Sequence, residues 1–180
     1  GNPLRTDSTF YDAAGNIRSR TGGVNLNYDY GADCAGSTAG PHAVCSAGGV
    51  SYTYDAIGNM THDNSGRDIT YNAHSKPERI QSTQGITDYR YGADRNRYKR
   101  IEANGDGTDG TTLYLGNVEF ITKADGTRLF KRYIGGVAIQ NLYLNGGSST
   151  LSYTHKDHIG SIDTITEGDA NGMTGQITQA

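Results

Sequence analysis

The sequence has no tryptophan, only 3 phenylalanines and 3 prolines, and hydrophobic residues fill just 34% of its 180 positions. An ordinary globular domain carries roughly 45–50% apolar residues, so the supply for a thick core is short. No run of 18 apolar residues occurs, and no helical membrane span is therefore encoded. No signal-peptide pattern opens the chain. Positive charge is also scarce, with a net charge of −3, whereas nucleic-acid binders carry a basic patch or a basic overall balance. The one basic cluster, Arg95, Arg97, Lys99 and Arg100, reads as a solvated strand face alternating with Tyr98 and Ile101. No helical periodicity of useful length appears, and helix content is expected to be very low.

What the chain does have is 13 tyrosines and 26 glycines. Tyr and Thr suit pleated, half-buried surfaces, while Gly, Asn and Asp suit turns. The combination predicts an all-β chain of short strands and tight turns. Disorder is the alternative for a chain poor in apolar residues, but tyrosines spread along the whole length argue against it.

A repeat organises these residues. Tyr11-Asp12-Ala13-Ala14-Gly15-Asn16-Ile17 returns as Tyr54-Asp55-Ala56-Ile57-Gly58-Asn59-Met60. Tyrosines continue at Tyr71, Tyr91, Tyr114, Tyr133 and Tyr153, in steps of 17, 20, 23, 19 and 20 residues from Tyr54. A period near 20 fits a hairpin of two strands and two turns. In each unit Tyr ends a strand, Asp accepts hydrogen bonds from turn amides, Gly supplies a positive φ, and an aliphatic residue restarts the pleat. Asp125-Gly126 and Asn145-Gly146 are two-residue hairpin signals. Asn104-Gly105-Asp106-Gly107 is looser, and without a closing glutamate it does not complete a calcium loop. Tyr28 and Tyr30, Tyr52 and Tyr54, and Tyr89 and Tyr91 pair at spacing two on one strand face, so tyrosine ladders from repeat to repeat are expected. The segment 33–49 reads as an insertion loop between repeats. It holds both cysteines, Cys34 and Cys45. They form either a disulfide stabilising by about 3 kcal/mol in an oxidising compartment or two free thiols.

At these residues a resemblance emerges. Tyr-Asp-x-x-Gly-Asn, present twice, resembles the YD-repeat signature of bacterial RHS proteins and of the animal teneurins. Gly40-Pro41-His42-Ala43-Val44 resembles a segment common between YD repeats. Tyr153-Thr154-His155-Lys156-Asp157-His158-Ile159-Gly160-Ser161 resembles the Asp-His-Leu-Gly stretch near the end of an RHS shell, an end motif taken here as 153–168. The resemblance spans roughly residues 8–168. It implies a spiralling β-sheet of hairpins, an arc of the hollow shell that encloses a toxic C-terminal polypeptide in polymorphic and Tc-type toxins. It also implies that residues 1–180 are one YD-repeat segment of a larger secreted or surface protein. The polar Thr174–Ala180 reads as a tail, and both it and the opening Gly1-Asn2-Pro3 fall in mid-pattern, as a segment would. An arc leaves open strand edges, templates for pairing, so the expected partners are the rest of the parent protein or further copies.

Two functional alternatives accompany the scaffold. Exposed tyrosine faces flanked by Asp, Asn and Arg can stack on sugars, which makes an adhesive carbohydrate-binding module. Open edges can also join copies into a fibre. Catalysis is not expected. His155, Asp157 and His158 offer metal-ligand chemistry, but on a strand His155 and Asp157 face one side and His158 the other. The structural reading is that Asp157 and His158 shape a turn completed by Gly160. Ser161 lacks a nucleophile-elbow context, Cys45 with His42 makes no thiol-enzyme pattern, and no phosphate-cradling loop calls for a cofactor.

Overall fold

The computed structural model describes residues 6–23, 25–34, 36–105, 109–169 and 172–179. Gly1, Asn2, Pro3, Asp106, Gly107 and Ala180 of the sequence reading lie outside them. The chain is all-β, and helix among the described residues is confined to one 3-10 turn, Gly31–Asp33. It divides into two compact units, Gly1–Gln84 and Gly85–Ala180.

The first unit is an antiparallel meander of β1 (Ser8–Tyr11), β2 (Ile17–Thr21), β3 (Leu26–Tyr30), β4 (Val44–Ala47), β5 (Val50–Tyr54), β6 (Met60–Asp63), β7 (Arg67–Tyr71) and β8 (Pro77–Ser82). Each strand pairs with its sequence neighbours. The stretch 33–49 is therefore only partly a loop. Val44–Ala47 is a strand that pairs with β3 through Tyr28↔Ala47 and returns through a Gly48–Gly49 turn. Four residues give too short a pattern to announce a strand, and pairing with β3 supplies the missing order.

The second unit continues the same plan with β9 (Gly85–Tyr91), β10 (Arg97–Ala103), β11 (Gly110–Leu115), β12 (Val118–Lys123), β13 (Arg128–Ile134), β14 (Ala138–Tyr143), β15 (Thr150–Lys156), β16 (Ile162–Asp169) and β17 (Gly172–Gln179). Thr174–Gln179, expected as part of a tail, belongs to β17, which pairs with β16. Thr and Ile interrupt the polar run often enough to hold a ladder. Among the described residues neither β1 nor β17 has a second partner strand.

Register explains where the buried residues lie. Leu113↔Phe120, Phe120↔Phe130 and Phe130↔Leu142 form one continuous cross-strand row over β11–β14. One position along each strand, on the opposite face, runs Thr112↔Ile121, Ile121↔Leu129 and Leu129↔Tyr143. Thr112 and Leu129 are buried at 2% and 6% exposure. Apolar side chains thus occupy both faces of this sheet. The Phe120 and Phe130 rings meet at 5.0 Å, tilted by 38°.

That contact is testable. Phe120→Leu and Phe130→Leu should each lower the urea midpoint. A double-mutant cycle should show a coupling of about 0.5–1.5 kcal/mol, the usual surplus of an aromatic pair. Additivity of the two substitutions would contradict it.

Candidate functional site

The recurring unit is a turn in which a side-chain oxygen replaces missing backbone partners. In Asp12–Asn16, the Asp12 amide donates to the Asn16 carbonyl (2.9 Å), and the Gly15 amide donates to the Asp12 carbonyl (3.1 Å). Asp12 Oδ1 accepts from the amides of Ala14 (2.9 Å) and Asn16 (2.8 Å), and Oδ2 accepts from the Asn16 side chain (3.0 Å). Gly15 stands at φ +85. This is a type I turn followed by a left-handed residue, a three-residue hairpin loop.

Asp55–Asn59 repeats every one of these bonds, with Gly58 at φ +90. Asp157–Ser161 keeps the frame as well: Asp157 Oδ1 accepts from Ile159 (3.0 Å) and Ser161 (2.9 Å), and Gly160 stands at φ +91. The stretch around Asp157 and Gly160 is thus the same turn as the Tyr-Asp-x-x-Gly-Asn turn, with Lys156 in the place of the tyrosine. Tyr153 lies three residues earlier, in mid-strand, so its step of 20 from Tyr133 does not mark an equivalent position. Tyr114 and Tyr133 likewise sit inside β11 and β13 without ending them.

Other turns use variants of the same chemistry. Asn72 replaces Asp in Asn72–Lys76, where the left-handed residue is Ser75 (φ 55). In Gly92–Asn96 the carboxylate moves to Asp94, which accepts from the Asn96 amide (3.0 Å) and side chain (2.8 Å). Arg95 is the left-handed residue there, at φ 62. It therefore leaves the strand face on which the basic cluster was placed, because the turn requires it before β10 begins. Asp125 acts like Asp94, accepting from the Thr127 amide (2.8 Å). The loop is Ala124-Asp125-Gly126 between Lys123 and Thr127, three residues long where a two-residue turn was expected. A type I turn with Gly126 at φ +85 satisfies the strand twist as a two-residue turn would. Asn145-Gly146 lies in the longer connection 144–149, where Asn145 donates to the Gly126 carbonyl (2.8 Å). In Asp63–Arg67 the Asn amide is replaced by Arg67, whose guanidinium meets Asp63 Oδ2 at 2.8 Å, and the Ser65 hydroxyl bonds Oδ1. That makes the 2% exposure of Asp63 tolerable.

The turns at Asp12, Asp55, Asn72, Gly92 and Asp157 share a second feature. Just after each, the ladder skips one residue: Arg18, Thr61, Glu78, Tyr98 or Asp163. Such bulges bend a strand and raise its twist. No bulge follows the turns at Asp63 and Lys123. At two of these turns the preceding tyrosine ties the strand end to its neighbour. Tyr54 donates its hydroxyl to the Val44 carbonyl (2.6 Å), and Tyr71 donates to that of Met60 (2.8 Å). Burial raises both phenols above their ordinary pKa. These tyrosines tie strand to strand through backbone carbonyls, where ring-on-ring ladders were expected. Tyr89 and Tyr114 differ again, each holding the Arg97 guanidinium against its ring, at 5.1 and 4.7 Å. The signal for that sandwich was Arg97 itself, whose turn-adjacent position places it between two tyrosine-bearing strands.

In the first unit the turns are laced to one another along one rim. Asn16 donates to the Pro41 carbonyl (3.1 Å), and its side-chain oxygen meets His42 Nδ1 at 2.7 Å. Thr38 donates to the Tyr54 carbonyl (2.6 Å), and Asn59 reaches Ser75 Oγ (3.4 Å). The loop supplying Thr38, Pro41 and His42 is closed by a Cys34–Cys45 disulfide, with Cα atoms 6.1 Å apart. His155 Nε2 meets Thr166 Oγ1 at 2.9 Å, and the Tyr153 ring lies over Gly168, where a Cβ would come within 2.7 Å of it. His155, Asp157 and His158 are thus not drawn together: the first bonds across to β16, the second is spent on turn amides, and the third is exposed in the turn.

No family model matches the sequence, and no curated protein does. Among solved structures, the crystal structure of TcdB2-TccC3 is similar in fold, with 17% identity over 97% of this chain and a TM-score of 0.50. The crystal structure of TcdB2-TccC3 without its hypervariable C-terminal region gives 16% identity and a TM-score of 0.49, again over 97% of this chain. This chain spans only 13% of either.

Two predictions follow from the turns. Replacing Arg95 with Gly should stabilise the chain by about 0.5–1 kcal/mol in urea unfolding, and Gly58→Ala should cost about 1 kcal/mol, because an L side chain is strained at positive φ. A neutral result for both would refute the strain. The second concerns acid. Hydrogen bonds from Asn16, Asn59, Ser65, Asn96 and Thr127 hold Asp12, Asp55, Asp63, Asp94 and Asp125 below the usual carboxylate pKa. A folded pKa below the unfolded one stabilises fully above the unfolded value and is lost as pH falls through the folded one. Thermal stability should therefore hold from neutrality to about pH 5 and fall below about pH 4. Asp55→Asn, which keeps an acceptor as Asn72 does, should shallow that fall.

Proposed function

We propose that this chain is a stretch of wall in a larger RHS-type protein that encloses or presents a toxic polypeptide. The observation that carries the reading is the repeated, side-chain-held turn joining strands of a single antiparallel sheet, whose growth needs only more hairpins. The likeness in fold to part of TcdB2-TccC3 supports placement in a bigger assembly. The role is structural and not catalytic: Asp12, Asp55 and Asp157 are spent on turn amides, and His155 holds Thr166. A secreted or surface location is supported by the Cys34–Cys45 disulfide, since such bonds persist in oxidising compartments. The remainder of the parent protein would meet the chain at its strand edges.

A second reading, sugar binding, has one local feature in its favour. A shallow hollow of about 490 Å³ in the first unit is lined by Tyr52, Arg67, Ile80, Ser82 and Gln84, which combines a ring with polar donors.

Electron microscopy of the parent protein should show a hollow body whose wall contains these hairpins, and protease should spare the enclosed polypeptide while it is intact. A parent with no enclosed space would end the wall reading. Sedimentation of the 180-residue chain separates the fibre alternative, since filaments would promote self-assembly and a monomer would count against it. Titration with cell-wall oligosaccharides tests the hollow. Saturable binding abolished by Tyr52→Ala would favour the sugar reading, and no saturation would retire it.

A further inference from the structure

We propose that the Cys34–Cys45 disulfide is a thiol-operated strap across a thinly paired part of the first unit's sheet. The ladders there are short. Strands β2 and β3 pair only through Ser19↔Asn27 and Arg20↔Leu26, and β4 and β5 only through Ser46↔Ser51 and Ala47↔Val50. By contrast, β11 and β12 pair continuously from Gly110↔Lys123 to Leu115↔Val118. The disulfide loop bridges this weak region by its contacts. At one end its Pro41 carbonyl and His42 ring grip Asn16, in the turn that follows β1, and at the other Thr38 grips the carbonyl of Tyr54, the last residue of β5. Gly31 anchors the base: it is buried, its amide donates to the Ala43 carbonyl (3.4 Å), and a Cβ on it would lie 3.2 Å from the Gly40 carbonyl oxygen. The loop therefore links strands that the ladder itself joins weakly, and the sulfur bond fixes the loop's two ends.

The two sulfurs differ in access. Cys34 is half-buried, whereas Cys45 is 2% exposed. A dithiol reductant attacks as a thiolate at the Cys34 sulfur and expels Cys45 as thiolate, which takes up a proton. The reductant's second thiol then displaces Cys34, so two electrons pass to the protein and the reductant leaves as its own disulfide. With the ends freed, the grips on Asn16 and Tyr54 become entropically costly to hold, and the sheet opens between β2 and β5. The strap is independent of the wall reading, because it rests on loop contacts and ladder lengths within this chain.

Hydrogen exchange of the 180-residue chain with and without millimolar dithiothreitol tests it. Reduction should accelerate exchange at least about tenfold at residues 17–20, 26–30, 44–47 and 50–54, a local opening, and leave 110–143 unchanged. Cys34→Ser with Cys45→Ser should exchange like the reduced chain in both conditions. Thr38→Val with His42→Ala should accelerate the same segments with the disulfide intact. Unchanged exchange after the appearance of two titratable thiols would overturn the proposal. So would equal acceleration over 110–143, or a disulfide that resists the reductant in the folded chain.

Discussion

The structure depends on a side-chain oxygen capturing turn amides that the sheet cannot reach. A hairpin loop leaves backbone donors pointing into the loop, where the ladder offers no acceptor. Asp12, Asp55 and Asp157 solve this locally, each with one oxygen shared between two amides. Because the solution is local, the turn can be repeated wherever a strand must end. It also tolerates change in a defined way. Asn72 works with a neutral acceptor, and Asp94 and Asp125 work from two positions further along, since either location puts an oxygen near the amide that follows the left-handed residue. What the turn demands most strictly is that left-handed residue, and Ser75 and Arg95 hold it at a steric cost that glycine avoids.

From that turn the tyrosine acquires its purpose. The bulge after the turn frees one residue from the ladder and increases twist, which disturbs the neighbouring carbonyls. A tyrosine at the strand end has the reach to cross to the preceding strand and donate to one of them, as Tyr54 and Tyr71 do. Phenylalanine has the ring but no donor and could not replace Tyr54 or Tyr71 in this role. Where no bulge follows, at Asp63 and Lys123, no tyrosine precedes the turn.

Much of this was legible in the residues. The turn chemistry of Tyr-Asp-x-x-Gly-Asn could be read from Asp, Gly and Asn at fixed offsets, and the all-β architecture from Tyr, Thr and Gly abundance. Equal spacing of tyrosines was a weaker guide. Spacing counts residues, whereas equivalence is set by which residue adopts positive φ, and that is Gly160 three residues after Asp157, not any fixed distance from Tyr153. Strand β4 was hidden because four residues carry almost no periodicity and their order comes from β3. The disulfide stayed undecided because loop composition does not reveal whether two sulfurs can meet; that depends on β4 bringing Cys45 back beside the 3-10 turn that precedes Cys34.

The scarcity of apolar residues finally constrains what such a chain can be. The row Leu113, Phe120, Phe130 and Leu142 and the row Thr112, Ile121, Leu129 and Tyr143 cover opposite faces of one sheet, so each apolar side chain is sheltered by its cross-strand neighbours. Stability in such a sheet accumulates neighbour by neighbour, as in other repeat architectures, and among the described residues only Cys45, Leu129 and Ala138 are buried apolar side chains. Exposed apolar tips such as Ile57 and Ile159, each 75% exposed at the same place in the same turn, follow from that arrangement: their amides are bound to the turn carboxylate, which turns the side chain outward. A chain built this way gains stability by adding hairpins, each new strand sheltering the side chains of the one before it.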